Sequence, residues 1–126
     1  KSLNLEKFVK FLGHTEDVIK EIGSSSLIIA PSDKPEPLGR TVMEAKRLGI
    51  PIIASNAGGF KETINHNFDG LHYDIMSHHS LSEMMLKVFL NLELRENFVK
   101  KSLQQSKSWS VNNYQDGLLK FLEKNI

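Results

Sequence analysis

Four short apolar runs, Phe8 to Leu12, Ser26 to Ala30, Pro51 to Ala54 and Gly70 to Tyr73, recur along the chain with stretches of helical character between them. Runs this short predict strands of a parallel sheet, because parallel neighbours need a crossover and the crossover helix buries the sheet face that it covers. Helices are predicted over Glu16 to Ile22 and Leu38 to Leu48, with a short helical turn near Gly59 to Ile64. The fold class that follows is α/β: a Rossmann-like, doubly wound parallel sheet with helices on both faces. Ligands of such sheets bind beyond the carboxyl ends of the strands, so Gly13-His14, Pro31 to Glu36 and Ser55 to Gly59 are expected to share one rim.

After Tyr73 the pattern becomes consecutive helices. Ser80-Leu81-Ser82-Glu83 matches a capping box, and Leu81, Met84, Met85, Val88 and Phe89 follow at helical spacing as a predicted packing stripe, with His78-His79 in the loop before it. A second helix is predicted over Leu92 to Leu103. A last one follows Trp109-Ser110 and carries Tyr114, Leu118, Phe121 and Leu122 on one face. The 126 residues therefore form one domain, 1–126, in which 79–126 are C-terminal helices.

Composition excludes several classes of function. A formal net charge of +1 offers no basic field for nucleic acid, and no run of 18 apolar residues predicts a membrane span. Without cysteine there is no disulfide and no thiolate chemistry. The five histidines, His14, His66, His72, His78 and His79, show no two-turn spacing of the kind that metal ligands use, so no metal site is expected.

The chemistry concentrates in Pro35-Glu36-Pro37-Leu38-Gly39-Arg40-Thr41-Val42-Met43-Glu44-Ala45. Pro37 suits the first position of a helix and Gly49 its stop, which would set Glu36 at the helix mouth and Glu44 two turns inside, about 12 Å apart along the axis. That separation suits two groups of one elongated ligand. Between the carboxylates, the unpaired N–H groups of Leu38, Gly39 and Arg40 would meet the positive end of the helix dipole, a setting that favours phosphate. A ligand with a diphosphate in the middle and hydroxyl-bearing sugars at both ends, a nucleotide-sugar, satisfies every element. Plainer readings compete: Glu44 as a solvated partner of Arg40, Glu36 as a helix-start carboxylate, Gly58-Gly59 as a turn only, and Lys46-Arg47 as a solvated basic face.

The same run resembles the glutamate-x7-glutamate motif of the retaining glycosyltransferases of family 4, in their glycosyl transferases group 1 domain. Ile28-Ile29-Ala30-Pro31-Ser32, Gly49-Ile50-Pro51-Ile52-Ile53-Ala54 and Gly58-Gly59 with Glu62 resemble its neighbouring strands and turns, as do Phe11-Leu12-Gly13 and Asp69-Gly70. The resemblance implies the donor-binding, C-terminal half of a GT-B enzyme, a chain that begins inside a longer product and lacks its N-terminal acceptor domain. It implies transfer of a sugar from a nucleoside diphosphate donor to an acceptor glycan or glycolipid, with no cofactor and no metal. Glu36 would contact the donor sugar as the catalytic carboxylate. Gly13, His14, Pro37, Leu38, Gly39, Arg40, Thr41, Glu44, Gly58 and Gly59 would bind the rest of the donor, with the base near Gly13-His14 and the ribose on Glu44. Polysaccharide synthesis in the cytoplasm, with peripheral contact at the inner membrane face, is the implied setting. The terminal helix would cross back to the N-terminal domain, leaving an exposed apolar face in its absence. Relatives keep their principal cationic residues upstream of the segment matching Lys1, so this chain alone is expected to transfer little.

Three rivals remain. A sugar-nucleotide epimerase would carry its catalytic acids elsewhere. A signalling receiver domain needs acids where Gly13-His14 and Ser55-Asn56 stand. A non-catalytic nucleotide-sugar-binding module would keep the same motif.

Overall fold

A computed structural model describes residues 4–125, without the side chains of Val111, Tyr114 and Asn125. Three short strands, β1 (Ile28–Ala30), β2 (Ile52–Ser55) and β3 (Leu71–Tyr73), pair in parallel in the order β1-β2-β3. The register sets Ile28 beside Ile52 and Ile53 beside Leu71. Alternation then sends successive residues to opposite faces. Ile52 and Ala54, with Ala30, meet Ile22, Val42, Ala45, Phe60 and Ile64 from helices α1 (Val18–Gly23), α2 (Arg40–Arg47) and α3 (Phe60–Thr63) and their ends. Ile53, Leu71 and Tyr73 meet Val88 and Phe98 from α4 (His78–Leu90) and α5 (Leu92–Ser106). All four residues of β2 are buried, as expected for a central strand covered on both sides. Helices thus cover both faces of a parallel sheet, as predicted.

The strand predicted at Phe8 to Leu12 does not form. Those residues pair with no strand among the described residues, and Phe8 and Phe11 are 82% and 93% exposed. A strand exists only through a neighbour that takes its backbone groups, and periodicity cannot supply one. The α4 stripe also needs correction. Leu81, Met84 and Val88 pack on the sheet, whereas Met85 and Phe89 face outward. The helix starts earlier than the Ser80 capping box predicts: Ser77 caps it by accepting the Ser80 N–H at 3.1 Å, so His78-His79 form its first turn. Helix α5 runs to Ser106, a 3-10 turn spans Lys107–Trp109, and α6 (Val111–Asn125) exposes Leu118, Leu119, Phe121 and Leu122. Tyr114, expected on that face, has a side chain outside the described set.

Lys46 corrects the reading of a solvated basic face. It is fully buried, and its ammonium lies 2.9 Å from the buried Asp69 carboxylate while donating to the Thr63 carbonyl and the Gln105 side chain, both at 2.5 Å. The Trp109 ring stands 5.6 Å away. Asp69 also accepts the Asn65 N–H at 2.9 Å, and its own carbonyl accepts the Ser102 hydroxyl. One ion pair therefore ties α2 to the turn before β3, to α5 and to the 3-10 turn. Burial lowers the Lys46 pKa, and the hydrogen bond and charge of Asp69 oppose that shift.

Removing one partner of a buried pair leaves the other charge without compensation. Lys46→Met should therefore cost about 3–5 kcal/mol of stability by urea denaturation, and adding Asp69→Asn should recover part of it. A single variant within about 1 kcal/mol of the parent would contradict this role.

Candidate functional site

The helix that carries Glu44 starts later than Pro37 predicts. Gly39, at φ +74°, is its N-cap, and Arg40 is its first residue. A left-handed residue cannot belong to the helix, so Glu36, Pro37 and Leu38 form the turn before it. Glu36 and Glu44 consequently do not share one helix axis. The far end behaves as predicted: Gly49, at φ +69°, follows the last turn, with Gly49 N–H on the Lys46 carbonyl and Ile50 N–H on that of Ala45.

Gly58 and Gly59 hold the Glu36 turn in place. The Gly59 N–H donates to the Glu36 carbonyl at 2.6 Å. A Cβ on Gly58, at φ +48°, would lie 2.6 Å from the same oxygen, and one on Gly59 would collide with the Pro37 carbonyl. The close approach that this glycine pair permits is to the chain's own backbone. Next in sequence, Phe60 lies where a Cβ on Gly39 would come within 2.7 Å of its ring. Three glycines and one buried aromatic thus set the turn that carries Glu36. Sequence reasoning missed Phe60, although its place directly after Gly58-Gly59 was a usable signal.

The α2 mouth opens to two cavities. One, of about 350 Å³, is bounded by Ala30, Ser32, Glu36, Gly39, Arg40 and Phe60. The other, of about 450 Å³, lies between Glu16 to Ile19 and α2, and is lined there by Arg40, Thr41 and Glu44. Arg40 and Thr41 belong to both, and among the described residues their amides donate to no backbone carbonyl. Glu36 and Glu44 are each half-buried, Glu36 lining the first cavity and Glu44 the second. Arg40 lies 3.5 Å from Glu44 but is 85% exposed, which leaves the pair weak and the guanidinium available. The structure brings Glu36, Gly39, Arg40, Thr41 and Glu44 together around the mouth. Pro37, Leu38, Gly58 and Gly59 support or flank the turn. Gly13 and His14 lie on an exposed segment and line neither cavity.

A polar cavity elsewhere, of about 520 Å³, contains His66, His72, Asp74 and Glu83. The His66 and His72 rings stack with centroids 5.9 Å apart, and His66 Nδ1 accepts the His72 N–H at 2.8 Å. That bond requires an unprotonated Nδ1. Among the described residues no group of three or more His, Cys, Asp or Glu is placed to hold a metal ion. A fourth cavity, of about 350 Å³, lies at the rim between Pro31-Ser32 and Ser77 to Leu81.

A parallel sheet covered by helices on both faces, with a carboxylate-flanked helix mouth at its rim, is the α/β architecture of the GT-B glycosyltransferases. The family model described as Glycosyl transferases group 1 matches residues 1–105, and the chain belongs to that family. It is 29% identical over 97 residues to N-acetyl-alpha-D-glucosaminyl L-malate synthase of Bacillus anthracis, covering 77% of this chain and 25% of that protein. Over 39 residues it is 49% identical to the GDP-mannose-dependent alpha-(1-6)-phosphatidylinositol monomannoside mannosyltransferase of Mycobacterium tuberculosis, covering 31% of this chain and 10% of that one. The structure of Anabaena HepE in complex with UDP-glucose superposes with a TM-score of 0.86 at 24% identity, covering 97% of this chain and 34% of that one. The chain therefore spans about a third or less of the length of these relatives.

Two outcomes test the geometry. Gly59→Ala should lose more than about 1 kcal/mol of stability, because the methyl group must displace the turn that carries Glu36; an unchanged denaturation midpoint would contradict the packing. Burial, with the nearby charges of His72 and Lys87, lowers the His66 pKa from its usual 6.5. The folded state then favours neutral His66, so this contribution is full above pH 6.5 and is lost as pH falls through that value toward the depressed one. The melting temperature should drop between pH 7 and pH 5, and the drop should be smaller in His66→Asn.

Proposed function

We propose that the protein transfers a sugar from a nucleoside diphosphate-sugar to an acceptor hydroxyl with retention of anomeric configuration, and that this chain supplies the donor site. The observation that carries the reading is the pair of half-buried carboxylates, Glu36 and Glu44, flanking a helix mouth whose first amides lack backbone partners. The diphosphate would lie against the Arg40 and Thr41 amides, where fixed N–H dipoles and the Arg40 charge favour an anion. Glu44 accepts the ribose hydroxyls, and Glu36 accepts those of the sugar to be transferred, since one carboxylate takes two neighbouring O–H donors.

Departure of the diphosphate builds negative charge on its oxygens while the sugar becomes cation-like. Donors already aimed at that charge stabilise the transition state more than the ground state, and they need no reorganisation as the bond breaks. Glu36 adds hydroxyl contacts that fix the ring next to the leaving group. The acceptor would come from a facing domain, in keeping with relatives longer than this chain. A glycan or glycolipid acceptor, a role in polysaccharide synthesis and a cytoplasmic site of action with peripheral membrane contact extend the same reading. No helix of the described residues is long and apolar enough to cross a membrane.

Glu44→Ala should weaken nucleoside diphosphate binding about tenfold or more by calorimetry, the effect of losing a charged acceptor worth about 1.5–3 kcal/mol. Glu36→Gln should lower kcat while sugar-free nucleotide binds as before. Unchanged affinity in the first variant would remove Glu44 from the site, and unchanged turnover in the second would remove Glu36.

A further inference from the structure

We propose that the rim cavity between Pro31-Ser32 and Ser77 to Leu81 receives the acceptor, and that this acceptor is a sugar bearing a hydrocarbon group, an inference that rests on the nucleotide-sugar reading above. Three cavities lie in series through shared residues. Arg40 and Thr41 join the cavity that Glu44 lines to the one that Glu36 lines, and Pro31 and Ser32 join the latter to the rim cavity. A donor with its ribose on Glu44, its diphosphate on Arg40 and Thr41 and its sugar on Glu36 fills two of the three. The rim cavity then adjoins the sugar end of the donor. In the transfer, the acceptor oxygen bonds the anomeric carbon, the bond from that carbon to the diphosphate breaks, and the hydroxyl proton leaves with the diphosphate. The acceptor must therefore touch the transferred sugar, and the rim cavity is the member of the series that the donor leaves to it.

The lining of this cavity is chiefly apolar. Pro31, the buried Tyr73 and the partly buried Leu81 form its walls, and Met76 stands at its edge, 81% exposed. Met76 is also left-handed, at φ +61°, a conformation that a residue with a Cβ adopts only at a cost. Burial of its side chain within this chain does not offset that cost, whereas an apolar ligand lying against the thioether would. The serine hydroxyls are already committed: that of Ser32 donates to the Lys34 carbonyl at 2.6 Å, and Ser77 Oγ accepts the Ser80 N–H at 3.1 Å. Asp33 and His78, both exposed, are the polar side chains left at the edge.

A bare glycan matches such a lining poorly, since its hydroxyls would give up water against Tyr73, Met76 and Leu81 and gain no hydrogen bond in return. A sugar with a hydrocarbon group attached matches it well. Its hydroxyls meet Asp33, His78 and the Glu36 side of Ser32, and its hydrocarbon covers Met76 and Leu81. The facing domain can carry such a molecule in while this chain covers its apolar end.

The test is calorimetric titration of the full-length protein with octyl glucoside, kept below its micelle-forming concentration, and with glucose. Parent, Met76→Ser and Met76→Leu are compared, and UDP and GDP are titrated into all three. Met76 is exposed, so neither substitution disturbs the core. Octyl glucoside is expected to bind the parent about tenfold tighter than glucose does, and to lose about tenfold in Met76→Ser. In Met76→Leu its affinity stays within about twofold of the parent. Nucleotide affinity is the same in all three proteins and is unchanged by saturating octyl glucoside. Octyl glucoside that fails to bind, binds no tighter than glucose, ignores Met76→Ser or competes with nucleotide overturns the acceptor assignment, and the donor reading stands as long as UDP or GDP binds. Binding of neither nucleotide at millimolar concentration overturns both.

Discussion

The site depends on a backbone contact between two loops. Gly58 and Gly59 approach the Glu36-Pro37 peptide so closely that no Cβ fits between them, and Phe60, the next residue, packs on Gly39. Because these residues follow β2 directly, the rigid centre of the sheet sets the position of the Glu36 turn. Gly39 can then take the left-handed conformation that ends the turn and starts α2, and the unpartnered amides of Arg40 and Thr41 face outward from there. Loops carry function most accurately when a packed scaffold over-determines them, as it does here.

The other end of α2 is held by different physics. Lys46, in the last turn of the helix, takes its ammonium into the core to meet Asp69, Thr63 and Gln105. A hydrophobic residue there could fill the same volume without the desolvation cost of two charges. What the ion pair adds is direction, since it links the helix to a specific carboxylate on the turn before β3. The helix that carries Glu44 is therefore fixed at its mouth by steric contact and near its end by charge.

Much of this was legible in the sequence. The apolar runs at Ser26 to Ala30, Pro51 to Ala54 and Gly70 to Tyr73 are strands because branched apolar side chains suit a sheet covered on both faces, and Gly49 stops α2 because it can turn left-handed. Phe8 to Leu12 has the same local character and fails for want of a neighbour. Pro37 misplaced the helix start, since a favourable φ at proline says nothing of the left-handed glycine two residues later. Lys46 was illegible for another reason: its partner Gln105 lies 59 residues away, and lysine on a helix ordinarily faces water. The motif spacing singled out Glu36 and Glu44 as candidates, while the packing of Phe60 on Gly39 and the place of Glu16 to Ile19 along the second cavity are visible only in the fold.

The central claim is that the α2 mouth receives the diphosphate of a donor. It is tested most directly by following backbone amide shifts while a nucleoside diphosphate-sugar is added to the isotopically labelled protein. The account predicts saturable shifts that are largest at Arg40, Thr41 and Glu44 and extend to Glu36 and Gly59. Saturable shifts centred on the rim cavity between Pro31 and Leu81, with the α2 mouth silent, would contradict it.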